Sequence, residues 1–261
     1  MLPEITDLEI EVLIKKIFPI EKQKYFMTLA FKMRKALGMH KLAGLFDDWT
    51  NVPAHCLLAT ARVEVIGKLL KLDDELIHDM MVAATLHDFG KKLEKEIVTI
   101  AGPTWKAFEY ANSISTLALK NAGFSQRIIR IASASGHGSL IETVEIVTSI
   151  EPSDEDLACL IFHYVDDYTI NDKPVTPFSD GKNDFTRRME NNVANKRYKI
   201  LDEEGRIHFS GASTFEAQER IGRRVQEKLT FLMIEAEGDM IAPNYLPEYV
   251  EEILNNEIAT A

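Results

Sequence analysis

Two histidines and two aspartates fall on otherwise apolar stretches of the chain. They are His55 in "VPAHCLLATARV", the adjacent pair His87 and Asp88 in "ATLHDFGKK", and Asp166 in "LIFHYVDDYT". A carboxylate on an apolar face carries a large desolvation cost unless it is paired or bound to a metal. Neutral imidazoles combined with carboxylates make a donor set suited to divalent ions: Mn, Fe, Co, Ni or Zn, with Mg also admissible. The pair has a second peculiarity. Histidine suits the negative end of a helix dipole, whereas aspartate there is mildly unfavourable, so a helix terminus alone does not account for Asp88.

Bringing four such residues together requires helices whose ends meet. Asp73 and Asp74 can cap a helix whose apolar face runs Leu76, Met80, Ala83 and His87, which places His87 in its last turn. Gly90 is expected to stop that helix in a left-handed conformation. A preceding helix is expected to start near Pro53, with His55 in its first turn and Leu58, Ala61, Val65 and Leu69 on its inner face. If these two are antiparallel neighbours, His55 and His87 meet. Further helices are expected at about 7–17, 20–36, 106–122, 126–135 and 153–169, with Gly123 as punctuation and Ser153 as a cap.

After Asp172 the character changes. "NDKPVTPFSDGKND" has the composition of a loop, and "RYKILDEEGRIHF" is expected to form a short hairpin around Glu204 and Gly205. Ser213 and Glu216 have capping-box spacing ahead of an apolar stripe of Phe215, Ile221, Val225, Leu229 and Leu232. Residues 1–172 therefore read as an all-α core and 173–261 as a mostly helical extension packed on it.

Composition narrows the chemistry. The 261 residues are 46% hydrophobic and 27% charged, as in an ordinary globular protein, and no apolar run approaches the roughly 20 residues of a membrane span. The acidic start "MLPEITDLEIEV" lacks the basic region of a signal peptide. Cys56 and Cys159 are too few for a disulfide framework and read as buried reduced thiols, which fits a reducing cytoplasm. A formal charge of −11 argues against binding a nucleic-acid duplex, yet allows a small phosphorylated substrate held by local Lys or Arg. Oligomeric state is left open.

Over roughly residues 50–180, the order H…HD…D resembles the HD-domain superfamily of metal-dependent phosphohydrolases. "LHDFGKK" looks like the recurrent "LHDIGK" of that superfamily, and "HYVDDYTINDKPV" is similar to a segment in which the last aspartate precedes a lysine-bearing loop. The resemblance implies an HD-type helical bundle with His55, His87, Asp88 and Asp166 as ligands of a divalent ion; Asp166 is preferred to Asp167 because of its Tyr-Val-Asp context. It further implies hydrolysis of a phosphomonoester or phosphodiester, with nucleotides as the leading substrate class. Lys91 follows the pair in the position of a phosphate contact, although some nucleotidase members carry a catalytic glutamate there.

Two residues keep open roles. His137, in "SASGHGSL", is either a ligand for a second ion, a substrate contact, a general acid, or an inconsequential turn residue. Glu109, Tyr110 and Asn112 stand where dinuclear members usually place a ligand histidine, so one ion is expected and a second stays open. Arg62 either reaches a phosphate or pairs with an acid such as Glu64 or Asp88. The superfamily also contains di-iron oxygenases and non-catalytic ligand-sensing modules, and these are the alternative functions the resemblance brings with it.

Overall fold

The computed structural model describes residues 4–135, 139–167, 169–170, 173–174, 199–200, 202–203, 214–238 and 241–261. The chain is all-α. Among the described residues its main helices are α1 (Asp7–Ile17), α2 (Ile20–Lys32), α3 (Arg34–Leu42), α4 (Asn51–Leu69), α5 (Asp74–Leu86), α6 (Lys91–Ala101), α7 (Trp105–Asn121), α8 (Gln126–Ser133), α9 (Leu140–Thr148), α10 (Asp154–Asp167), α11 (Thr214–Glu237) and α12 (Leu246–Thr260). Beyond α10, Thr169–Ile170 pairs antiparallel with Lys173–Pro174 in a minimal two-stranded ribbon. Among the described residues no helix is long and apolar enough to cross a membrane.

Helix α4 is the axis. Apolar residues lie all round it, the pattern of a helix buried on every side. It packs against α2, α5, α10, α11 and α12. Its neighbours start where capping chemistry dictates. The Asp73 carboxylate accepts from the Glu75 amide at the head of α5. Ser153 and Asp156 form a reciprocal capping box at the head of α10. Gly123, at φ +75°, ends α7 in the left-handed conformation that glycine tolerates.

Four expectations need correction. The helix expected over 20–36 is two helices, broken at Met33 (φ −94°, ψ 16°), and the break turns α3 to pack against α5. Gly90 is not a left-handed stop. It has φ −81° and leads into α6, and its lack of a side chain serves a close approach: a Cβ there would lie 2.2 Å from Ser115 Oγ on α7. In the expected hairpin, residues 199–200 and 202–203 are helical, and the remainder lies outside the described residues, as does Ser213. Asp202 instead meets the head of α11, accepting from the Thr214 amide at 2.8 Å. Finally, the inner stripe of α11 continues through Met233 rather than Leu232, which is half-buried.

The C-terminal helices share the core of residues 1–172. Val225, Leu229, Met233, Leu246, Val250 and Leu254 belong to the same apolar cluster as α4 and α5. A buried ion pair reinforces the seam: Arg62 Nε on α4 donates to Glu251 Oε1 on α12 at 2.5 Å.

The Gly90 contact yields a stability prediction. Gly90→Ala is expected to cost about 1–3 kcal/mol, the usual range for overpacking, and Ser115→Ala in the same chain to recover part of it. Urea unfolding of the single and double variants reads this directly; an unchanged midpoint in Gly90→Ala would contradict the close approach.

Candidate metal centre

The start of α4, the end of α5 and the end of α10 converge. His55 sits one turn into α4, His87 caps α5, Asp88 follows in the turn to α6, and Asp166 lies in the last turn of α10. The rings of His55 and His87 are 5.3 Å apart and meet edge to face. This is the meeting of helix ends that the spacing anticipates. Among the described residues, His55, His87 and Asp166 have donor atoms that all lie within 4.8 Å of one another. Asp88 stands beside this group in the α5–α6 turn, its Oδ2 3.7 Å from His87 Nε2, but is not one of the three mutually close residues.

His87 is the key to the site. Its side chain is 1% exposed, and Nδ1 lies 2.8 Å from the Ala84 carbonyl oxygen. A carbonyl only accepts, so the proton sits on Nδ1 and Nε2 is left with a lone pair. That lone pair is 3.1 Å from Asp166 Oδ1, yet Nε2 satisfies no hydrogen-bond geometry and stands as an orphaned buried atom. Metal-binding histidines characteristically present this arrangement, one ring nitrogen donating to a carbonyl and the other turned to the ion. His55 Nε2 donates to the same Asp166 oxygen at 2.9 Å.

The separations fit an ion. Bonds of about 2.1 Å give ligand–ligand edges of about 3.0 Å at right angles and about 3.4 Å in a tetrahedron. The contacts of 2.9 and 3.1 Å to Asp166 match the shorter edge, and the 3.7 Å contact of Asp88 is longer than the tetrahedral one. Two imidazoles and two carboxylates are also a chemically balanced set for a divalent cation.

Electrostatics press in the same direction. Burial alone would lower the pKa of His87, but the Cys56 sulfur and the carboxylates of Asp88 and Asp166 outweigh it and hold the imidazole well above its ordinary value. Burial would raise Asp166, but His87 and the His55 hydrogen bond bring it well below the usual carboxylate range. Asp88 is likewise lowered against burial, chiefly by Lys91 and then by His87. The cluster therefore draws in positive charge, whether a proton or a metal ion.

Of the remaining sequence candidates, Lys91 is at the site but turned to Asp88, with Nζ 3.2 Å from Oδ1. Of the two roles open to Arg62, pairing with an acid is seen, with Glu251 of α12. His137 lies outside the described residues. His163 is buried one turn before Asp166 and donates Nδ1 to the Ala134 carbonyl at 3.0 Å.

Sequence reasoning missed the layer behind the ligands. Cys56 Sγ lies 3.6 Å from His87 Nδ1. Thr60 Oγ1 and Thr85 Oγ1 are 2.8 Å apart between α4 and α5, and His40 Nε2 is 2.5 Å from the Thr85 carbonyl oxygen. These contacts join residues far apart in sequence, and no local spacing announces them.

No protein-family model matches the chain, and neither a curated protein nor a solved structure matches it.

Metal uptake by this cluster must compete with a proton. The Cys56 sulfur and the neighbouring carboxylates hold the His87 pKa well above its ordinary value, so a proton and a metal ion compete for the same Nε2 lone pair. Loading is therefore expected to release protons, and affinity to fall as the pH drops. Titration calorimetry in buffers of different ionisation enthalpy measures this; a binding heat independent of buffer would contradict it.

Proposed function

We propose that the chain is a metal-dependent phosphohydrolase, acting on a phosphomonoester or phosphodiester and favouring a nucleotide-like substrate. The observation that carries this reading is the orphaned Nε2 of His87, turned towards Asp166 and Asp88 beside His55. The same four residues are those singled out by the H…HD…D order, so the HD-type resemblance in sequence and the convergence in space support one reading.

In this reading His55, His87, Asp88 and Asp166 hold one divalent ion. Such an ion supplies Lewis acidity, which acidifies water towards about neutrality and polarises a phosphoryl oxygen. The chain's own residues do the rest. Asp88 and Asp166 stay ionised at neutral pH, because their cationic and hydrogen-bonding neighbours outweigh burial. Lys91 keeps its ammonium beside the Asp88 carboxylate, where it also lends positive charge to the rim of the site. A developing phosphate charge is stabilised most by groups already fixed in place, and Lys91 is held by its partner. His137 is the candidate for protonating the leaving oxygen. Arg62 pairs with Glu251 in the α4–α12 seam.

Asp88→Ala removes one ligand and the partner of Lys91. The variant is expected to lose bound divalent ion and to lose phosphate release from a panel of nucleotide and sugar phosphates, while the wild type turns over at least one of them in the presence of Mn2+, Co2+ or Mg2+. Full turnover by chelator-treated wild type, or retained metal stoichiometry in Asp88→Ala, would contradict the reading.

A further inference from the structure

We infer that His40, far in sequence from the four candidate ligands, is a positioning residue for the metal centre: from α3 it clamps the end of α5 that carries His87 and Asp88. The inference rests on the metal reading given above.

The last four carbonyls of a helix have no partner within the helix. In α5 these belong to Ala83, Ala84, Thr85 and Leu86. Three of them have identifiable donors. Ala84 accepts from the His87 ring at 2.8 Å, Leu86 from the Phe89 amide at 3.0 Å, and Thr85 from His40 Nε2 at 2.5 Å. His40 is fully buried, so water cannot stand in for it. The carbonyl requires the proton on Nε2, which leaves Nδ1 without one.

That Nδ1 makes no hydrogen bond of good geometry, although it is buried. For packing alone, an aliphatic side chain would serve this position without stranding a polar atom. The retained imidazole is explained by what its other nitrogen holds. The Cys56 thiol, next in sequence to His55, lies 3.6 Å from His87 Nδ1. One turn further along, the Thr60 and Thr85 hydroxyls tie α4 to α5. His40 thus sits behind the helix end that presents His87 to the site. Loss of its donor would free the Thr85 carbonyl to pull the last turn of α5 out of register, moving His87 and Asp88 together.

The test uses the full chain with Co2+ as the probe. Wild type and the His40→Gln, His40→Asn and His40→Leu variants are titrated while the visible d–d absorption and the dissociation constant are read. Unfolding temperatures of the metal-free proteins serve as the control for stability. Glutamine carries an amide nitrogen to about the place of Nε2, whereas asparagine reaches only to about Nδ1. His40→Gln is expected to keep the wild-type affinity and spectrum; His40→Asn and His40→Leu are expected to weaken binding by about 10–100-fold and to alter the spectrum. Wild-type affinity and spectrum in His40→Asn or His40→Leu would overturn the assignment, as would equal weakening in His40→Gln and His40→Asn. Should His40→Leu fail to fold, the comparison of glutamine with asparagine decides. A wild type that takes up no Co2+ would instead remove the metal reading, and this inference with it.

Discussion

The hydrogen bond from His87 Nδ1 to the Ala84 carbonyl fixes which face of the imidazole looks inward, and that face is a lone pair set among carboxylates. In a buried, low-dielectric space, a lone pair beside two anionic groups needs a cation on or between them. The surrounding structure keeps that demand in place rather than relieving it. His55 shares the Asp166 oxygen, Lys91 holds Asp88 from the outside, and Phe162 packs edge-on against the His87 ring. Each contact limits the freedom of a donor to turn away, which is the preorganisation that metal coordination exploits.

Holding three helix ends to such distances depends on the bundle. Helix α4 is enclosed on all sides, so His55 has little room to shift along it. The C-terminal helices contribute to that enclosure. Glu251 on α12 pairs with Arg62, which is buried two turns along α4 from His55. Gly90 allows α7 to approach the turn immediately after His87 and Asp88, so this turn is pressed between α5, α6 and α7.

Much of this was legible in the sequence, and the reasons for success and failure are physical. His55 and His87 announced themselves because each falls at a helix end whose start or stop residues are local: Pro53 for α4, the Asp73 cap for α5. Asp166 was legible as a carboxylate in an apolar run. Lys91 was placed beside the pair correctly, but a sequence does not show whether its ammonium faces substrate or the Asp88 carboxylate three residues back. Arg62 went to Glu251, 189 residues away in the chain, and no spacing rule reaches across that distance. Gly90 was misread because glycine serves two needs, positive φ and close approach, and only the position of Ser115 distinguishes them. His40 carried no signal at all, since its partner is a backbone carbonyl on another helix.

The most direct measurement is anomalous X-ray scattering from crystals of the wild-type protein loaded with Mn2+. A single peak within about 2.0–2.3 Å of His87 Nε2, shared with His55 Nε2 and oxygens of Asp88 and Asp166, is the expected result. A fully loaded crystal with no peak there, and with His87 Nε2 hydrogen-bonded to water or to a carboxylate, would contradict the central claim that this buried nitrogen is held ready for a metal ion.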